Sequence, residues 1–183
     1  MKINLIYFYG KVVKLNNECL WLPPLKRCED LNKYAEYEDE LYEIFKRDFI
    51  NNQIYFESKV LRIRKHPITY GREEAFYHII CKDLLKNRDR TPDIARCERI
   101  EWPRKIIDNC KCDNNCIWCS KIKIYKKIFK NNNYRYHILF EEYSYIVIVE
   151  ERKEYMLFIT GYVIDEDNEM DKKLKDFGNY KIT

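Results

Sequence analysis

Four segments in the last third of the chain, residues 121–129, 134–140, 143–150 and 155–164, are dense in Tyr, Ile and Val and separated by short polar connectors. β-Branched and aromatic residues fit a pleated surface, and connectors this short join neighbouring antiparallel strands. The pattern predicts a four-stranded meander, which has to bury at least one face against something else. Upstream segments supply the cover. Tyr37, Leu41, Ile44, Phe45 and Phe49 recur at helical spacing within residues 34–50, while Glu36, Glu40, Glu43 and Lys46 lie mainly on other faces. Residues 53–64 alternate and predict one or two strands, and residues 73–85 predict a second helix with Phe76, Ile79, Ile80 and Leu84 on its apolar side. Thr91 is placed as the N-cap of a third helix with Pro92 as its first residue. Residues 167–180 predict a charged terminal helix with Met170, Leu174 and Phe177 on one side.

Helices first and a meander last imply an α+β fold, with N-terminal helices packed on a C-terminal antiparallel β-meander in a single domain. Residues 1–32 are read as an N-terminal appendage and residues 33–183 as the core domain, because the paired prolines 23 and 24 force extended chain ahead of the first helix. At 183 residues and 46% hydrophobic, the chain can bury one sizeable core. No apolar run approaches the roughly 20 residues of a membrane span. The opening segment is too short and too aromatic for a signal peptide, so a cytoplasmic protein without a membrane partner is expected.

A reducing compartment makes disulfides from the eight cysteines unexpected. Cys110, Cys112, Cys116 and Cys119 sit within ten residues as C-x-C and C-x-x-C. They are either a structural zinc site, whose loop must fold back on itself, or four reduced thiols. Four thiolates would close the metal, leaving no open position for catalysis, and no catalytic cofactor is expected.

Positive charge is concentrated in the middle of the chain. Residues 59–105 hold thirteen Lys/Arg against seven Asp/Glu, an excess larger than the whole-chain net charge of +4, and two of the three histidines lie there. Such a block can bind phosphate and exchange protons. With four glycines in all, the chain has no phosphate loop, nucleophile elbow or dinucleotide fingerprint. Asp165, Glu166, Asp167 and Glu169 cluster, but at a helix N-terminus, where acidic residues are common.

The residues His66-Pro67, Gly71-x-Glu73-x-Ala75-Phe76-Tyr77-His78, Arg90-Thr91-Pro92-Asp93, Arg96-Cys97-Glu98-Arg99-Ile100-x-Trp102-Pro103-Arg104 and Thr160-x-Tyr162 form a distinctive series. Over residues 34–178 the chain resembles a family of small uncharacterised proteins carried by prophages and other mobile elements. Proteins of this kind are similar to the phage branch of the barnase, EndoU, colicin and RelE superfamily of metal-independent RNases and toxins. The resemblance implies RNA as the partner and a protein antitoxin as a second one. This chain departs from the family pattern at the cysteine loop, at residues 1–32, and at Tyr77, where Trp is commoner.

Metal-independent RNA cleavage needs a base for the 2′-OH proton, a cation at the phosphate oxygens and an acid for the leaving 5′-oxygen. His66 and His78 are the candidates for proton transfer, with Arg104 and Thr160 completing the catalytic set. Arg64, Arg72, Arg96, Arg99, Trp102 and Tyr162 are candidates for substrate binding, the arginines for their planar fork and the aromatics for stacking. Each has a plainer reading: His66 as a turn residue, His78 as a half-buried histidine bonding a carbonyl, the aromatics as core. His137, alternating with Tyr136 and Ile138, is read as structural. The rival to a nuclease is a non-catalytic phage or defence-associated inhibitor whose basic face docks nucleic acid or an acidic protein.

Overall fold

The meander forms in chain order. In a computed structural model that describes residues 5–8, 11–14, 21–84, 89–111, 121–130 and 133–182, strands β9 (Ile122–Ile128), β10 (Tyr134–Phe140), β11 (Tyr145–Glu151) and β12 (Met156–Val163) pair as successive antiparallel neighbours. The sheet then continues past β12 with a hairpin from the first half of the chain, β3 (Ile54–Phe56) and β4 (Lys59–Arg62). β4 lies parallel to β12 through the pairs Leu61 with Met156 and Arg62 with Leu157. The sheet is therefore six-stranded and mixed, in the order β3-β4-β12-β11-β10-β9.

Helices cover both faces. Helix α1 (Tyr34–Phe45) buries Leu41 and Phe45 completely, and helices α2 (Glu74–Ile80) and α4 (Trp102–Asn109) bury Phe76, Ile79, Ile80 and Ile106 in the same core, with Ile138, Phe140 and Val147 from the sheet. The opposite face carries a smaller cluster of Leu139, Ile146, Ile148 and Ile164, closed by Met170 and Leu174 of α5 (Asp167–Tyr180). A strand with both faces covered needs no polar alternation, and β11 is accordingly a buried run of Tyr, Ile and Val from Tyr145 to Val149. The fold is α+β, a single domain of N-terminal helices and a C-terminal, largely antiparallel sheet. Among the described residues no helix is long and apolar enough to cross a membrane.

Local structure departs from the sequence expectations at three places. The first helix loosens after Phe45 into a wide turn, Lys46–Ile50, in which the Asn51 amide reaches back to the Lys46 carbonyl at 2.8 Å. The second helix stops at Ile80, and the chain continues as β7 (Cys81–Leu84), antiparallel to β8 (Asp89–Pro92). Thr91 and Pro92 are therefore strand residues, and Asp93 is the N-cap of the short helix α3 (Ile94–Cys97), its carboxylate accepting the Arg96 amide at 3.1 Å. Thr91 precedes a proline and is held extended, which suits the strand, while Asp93 caps as well as any residue.

In β12 the two-residue side-chain alternation of a regular strand breaks. Ile148 pairs with Thr160 but Val149 pairs with Phe158, so Ile159 is an extra residue, a β-bulge. Met156 and Phe158 join the helix-covered core, whereas Tyr162 packs in the α5 cluster instead of sharing their face.

Near the N-terminus, β1 (Leu5–Phe8) and β2 (Lys11–Lys14) pair as a separate hairpin. From residue 21 onward the stretch read as an appendage is bound to the core. Trp21 stacks on Phe140 at 5.9 Å, the Trp102 indole donates to the Pro23 carbonyl at 3.0 Å, and the Tyr37 hydroxyl donates to the Lys26 carbonyl at 2.6 Å.

Candidate functional site

Beyond Arg62 the chain leaves the sheet and crosses the N-terminus of α2, where the Ala75 and Glu74 amides donate to the carbonyls of Arg64 (2.9 Å) and Lys65 (3.2 Å). These first-turn donors have no partner inside the helix, so the crossing segment satisfies them and is pinned in return. It then passes His66, joined to Pro67 by a cis peptide bond, into a hairpin of β5 (Ile68–Thr69) and β6 (Arg72–Glu73). The two-residue loop has positive φ at both positions, Tyr70 (+49°) and Gly71 (+74°), the geometry that lets such a tight hairpin follow the strand twist. Glycine meets that demand at no steric cost, and Tyr70 does not. The Tyr70 ring is 91% exposed.

Hairpin, crossing segment and α2 enclose a cleft of about 810 Å³, lined among others by Arg64, His66, Tyr70, Glu74, His78 and Arg90. The two histidines singled out in the sequence thus share one wall-to-wall space. His66 is exposed. His78 is half-buried and lies one helical turn from Glu74, its Nε2 3.3 Å from Glu74 Oε1. Arg90, returned to α2 by the pairing of β8 with β7, grips the Glu74 carboxylate with both terminal nitrogens, Nη1 donating to Oε2 at 3.0 Å, and Nη2 lies 3.5 Å from His78 Nε2. Arg90's hydrogen bonds hold the Glu74 carboxyl below the usual carboxylate range against its burial, with His78 and Arg64 adding to the pull. The result is an ionised carboxylate fixed behind an imidazole. Such a carboxylate orients the ring.

A smaller space of about 180 Å³ adjoins the cleft across His78 and contains Arg96, Thr160 and Tyr162. The Thr160 hydroxyl donates to the His78 backbone carbonyl at 2.9 Å, and the Arg96 guanidinium donates to the Cys81 carbonyl at 2.9 Å and lies over the Tyr162 ring. Tyr162 donates its hydroxyl to Glu169 at 2.7 Å, and burial pushes its phenol well up. These three side chains brace the C-terminal end of α2 and the sheet beneath it.

Other residues singled out in the sequence do not line the cleft. Arg104 pairs with Asp108 at 2.7 Å and donates to the Asp48 carbonyl. Arg99 donates to the Ala95 carbonyl and covers the Trp102 ring, which is itself 5% exposed and part of the core. Arg72 is engaged by Glu38 and Asp39. Of the cysteine loop, Cys110 is half-buried with its thiol donating to the Ile107 carbonyl, and burial pushes it up to about 11. Cys112, Cys116 and Cys119, and with them the zinc reading, lie outside the described residues.

Pairing of this kind consumes most of the local charge excess. Among the described residues of the basic block, Arg62, Arg64, Lys65, Arg99 and Lys105 have no carboxylate partner, and the first three lie together along the crossing segment beside His66. Glu74 and Arg90 were missed in the sequence. Glu74 carried a signal, the four-residue spacing to His78 that places both on one helix face, but Arg90 is brought in by a strand pairing that no local pattern announces. No family model, curated protein or solved structure matches the chain, and the functional reading rests on the cleft.

Proposed function

We propose that the cleft binds RNA and cleaves it by acid–base chemistry without a catalytic metal. The observation that carries this reading is the convergence of His66 and His78 on one open cleft with an unpaired cation, Arg64, at its wall. His66, exposed and unconstrained by a carboxylate, takes the proton from the 2′-OH as O2′ attacks phosphorus. Arg64 faces the non-bridging oxygens as their charge grows, the place earlier given to Arg104. His78, oriented by Glu74, gives a proton to the 5′-oxygen as the P–O5′ bond breaks. The products are a 2′,3′-cyclic phosphate and a free 5′-hydroxyl. Thr160 acts through the His78 backbone as a positioning residue.

Purified protein incubated with total RNA and with tRNA in EDTA tests this directly, beside His66→Ala and His78→Ala. Cleavage that survives EDTA and falls about 100-fold or more in each variant is expected, the usual cost of losing a general acid or base. Absence of cleavage in the parent protein, with RNA binding retained, would move the reading to a non-catalytic binding protein that uses the same surface.

A further inference from the structure

The crossing segment has a second side. Arg64 and His66 line the cleft just described, while Arg62, Ile63 and Lys65 line another of about 740 Å³ on the opposite flank. Its floor is apolar, made by Phe49, Leu61 and Leu157, each under a tenth exposed. Its rim is a run of three exposed amide side chains, Asn51, Asn52 and Gln53. Asn52 is oriented by donating its amide to the Arg47 carbonyl at 2.7 Å, which turns its carbonyl oxygen outward from that bond. Across from the amides, the Arg62 guanidinium lies 5.0 Å from the centre of the Tyr155 ring.

We infer that this second cleft is a base subsite, taking an unstacked nucleobase of single-stranded RNA next to the phosphate held at His66 and His78. The inference rests on the RNA reading of the first cleft and adds the path of the strand. A nucleobase has an apolar face and an edge carrying both donors and acceptors. Amide side chains offer both on one group, and an aromatic ring beside a guanidinium offers two planes for stacking. A purely apolar ligand would leave the three amides without a use, and a free anion would find its charge at one edge only. The unpaired cations lie between the two clefts, where a backbone linking a base on one side to a phosphate on the other has to cross. The hydrogen bonds donated by the Ala75 and Glu74 amides fix that ridge against α2, so base and scissile phosphate are held in one frame.

The test is fluorescence anisotropy with a labelled single-stranded oligoribonucleotide whose 2′-hydroxyls are all methylated, so that binding is read without cleavage. Tyr155→Ala is expected to weaken binding about tenfold or more, the scale of a lost base stack. Tyr155→Phe is expected to bind like the parent, and Gln53→Ala, which removes an exposed amide and does not threaten the fold, to lose a smaller factor. Equal binding by parent, Tyr155→Ala and Gln53→Ala would overturn the subsite while leaving EDTA-resistant cleavage to stand on its own. Tyr155-dependent binding by a protein that cleaves nothing would overturn the catalytic reading and keep the subsite. No binding by the parent would overturn the subsite.

Discussion

His137 lies flat against Tyr125, ring centroids 4.7 Å apart and planes within 6°, under helix α5. Among the described residues its Nδ1 and the Tyr125 hydroxyl are buried without a hydrogen-bond partner. Burial, aided by Lys173 and opposed by Asp176, lowers the imidazole to about 4. The folded protein therefore holds this ring neutral, while the unfolded chain takes up a proton near pH 6.5. Protonation of the unfolded state alone drains stability, so the contribution is complete above about pH 6.5, shrinks as pH falls, and stops shrinking below about 4. Urea melts at pH 7 and pH 5 are expected to differ by about 2 kcal/mol on this account. In His137→Phe, which keeps the stacked ring, that difference should disappear; an unchanged difference would assign the effect to another group. The plain reading of His137 from its alternation pointed to the same place, a strand residue packed for structure. At the cleft, the residues legible in the sequence were those whose partners are local. His66 announced itself by its turn and basic neighbours, and His78 by its helix. Thr160 and Arg104 were assigned roles from residue type, which says nothing of the backbone carbonyls and carboxylates that occupy them.

At the scale of elements, α4 approaches the sheet closely because β12 has a glycine beneath it. A Cβ on Gly161 would stand 2.9 Å from the Tyr145 hydroxyl and 3.0 Å from Pro103 Cγ, one a fully buried ring and the other fixed in the first turn of α4. Neither can give way without moving the helix. Gly161→Ala is expected to cost about 1–3 kcal/mol by overpacking, measured as a drop in the urea midpoint with unchanged slope; a neutral result would show that α4 is free to shift. The strands of the meander and the terminal helix were legible because their patterns span seven or more residues. The second helix was overrun at Cys81, where an apolar run that reads as continuing helix turns into strand, and the bulge at Ile159 leaves no local pattern at all. Runs of that length favour helix and strand alike, and the choice is made by β8, whose pairing lies downstream.

Across the whole molecule, the basic block of thirteen cations includes one short row without carboxylate partners, on the crossing segment. An exposed row of three, Arg62, Arg64 and Lys65, releases few counterions when it meets a phosphate backbone. The logarithm of single-strand affinity is expected to fall with the logarithm of salt at a slope of about −2, and Arg64→Ala to reduce the slope by about 0.7. A slope near −6 would mean that the ion-paired arginines release their carboxylates to bind RNA. Net charge read from the sequence overstated this surface because it counts cations without their partners.

The parallel seat of β4 against β12 also sets an order of events during synthesis. The ridge, the hairpin and α2 are made early, yet the strand that receives them, and the Thr160 hydroxyl that fastens α2 at His78, belong to the last quarter of the chain. On a translating ribosome the elements that carry both histidines are therefore complete before the strand that seats β4, and the hydroxyl that fastens α2, have been made.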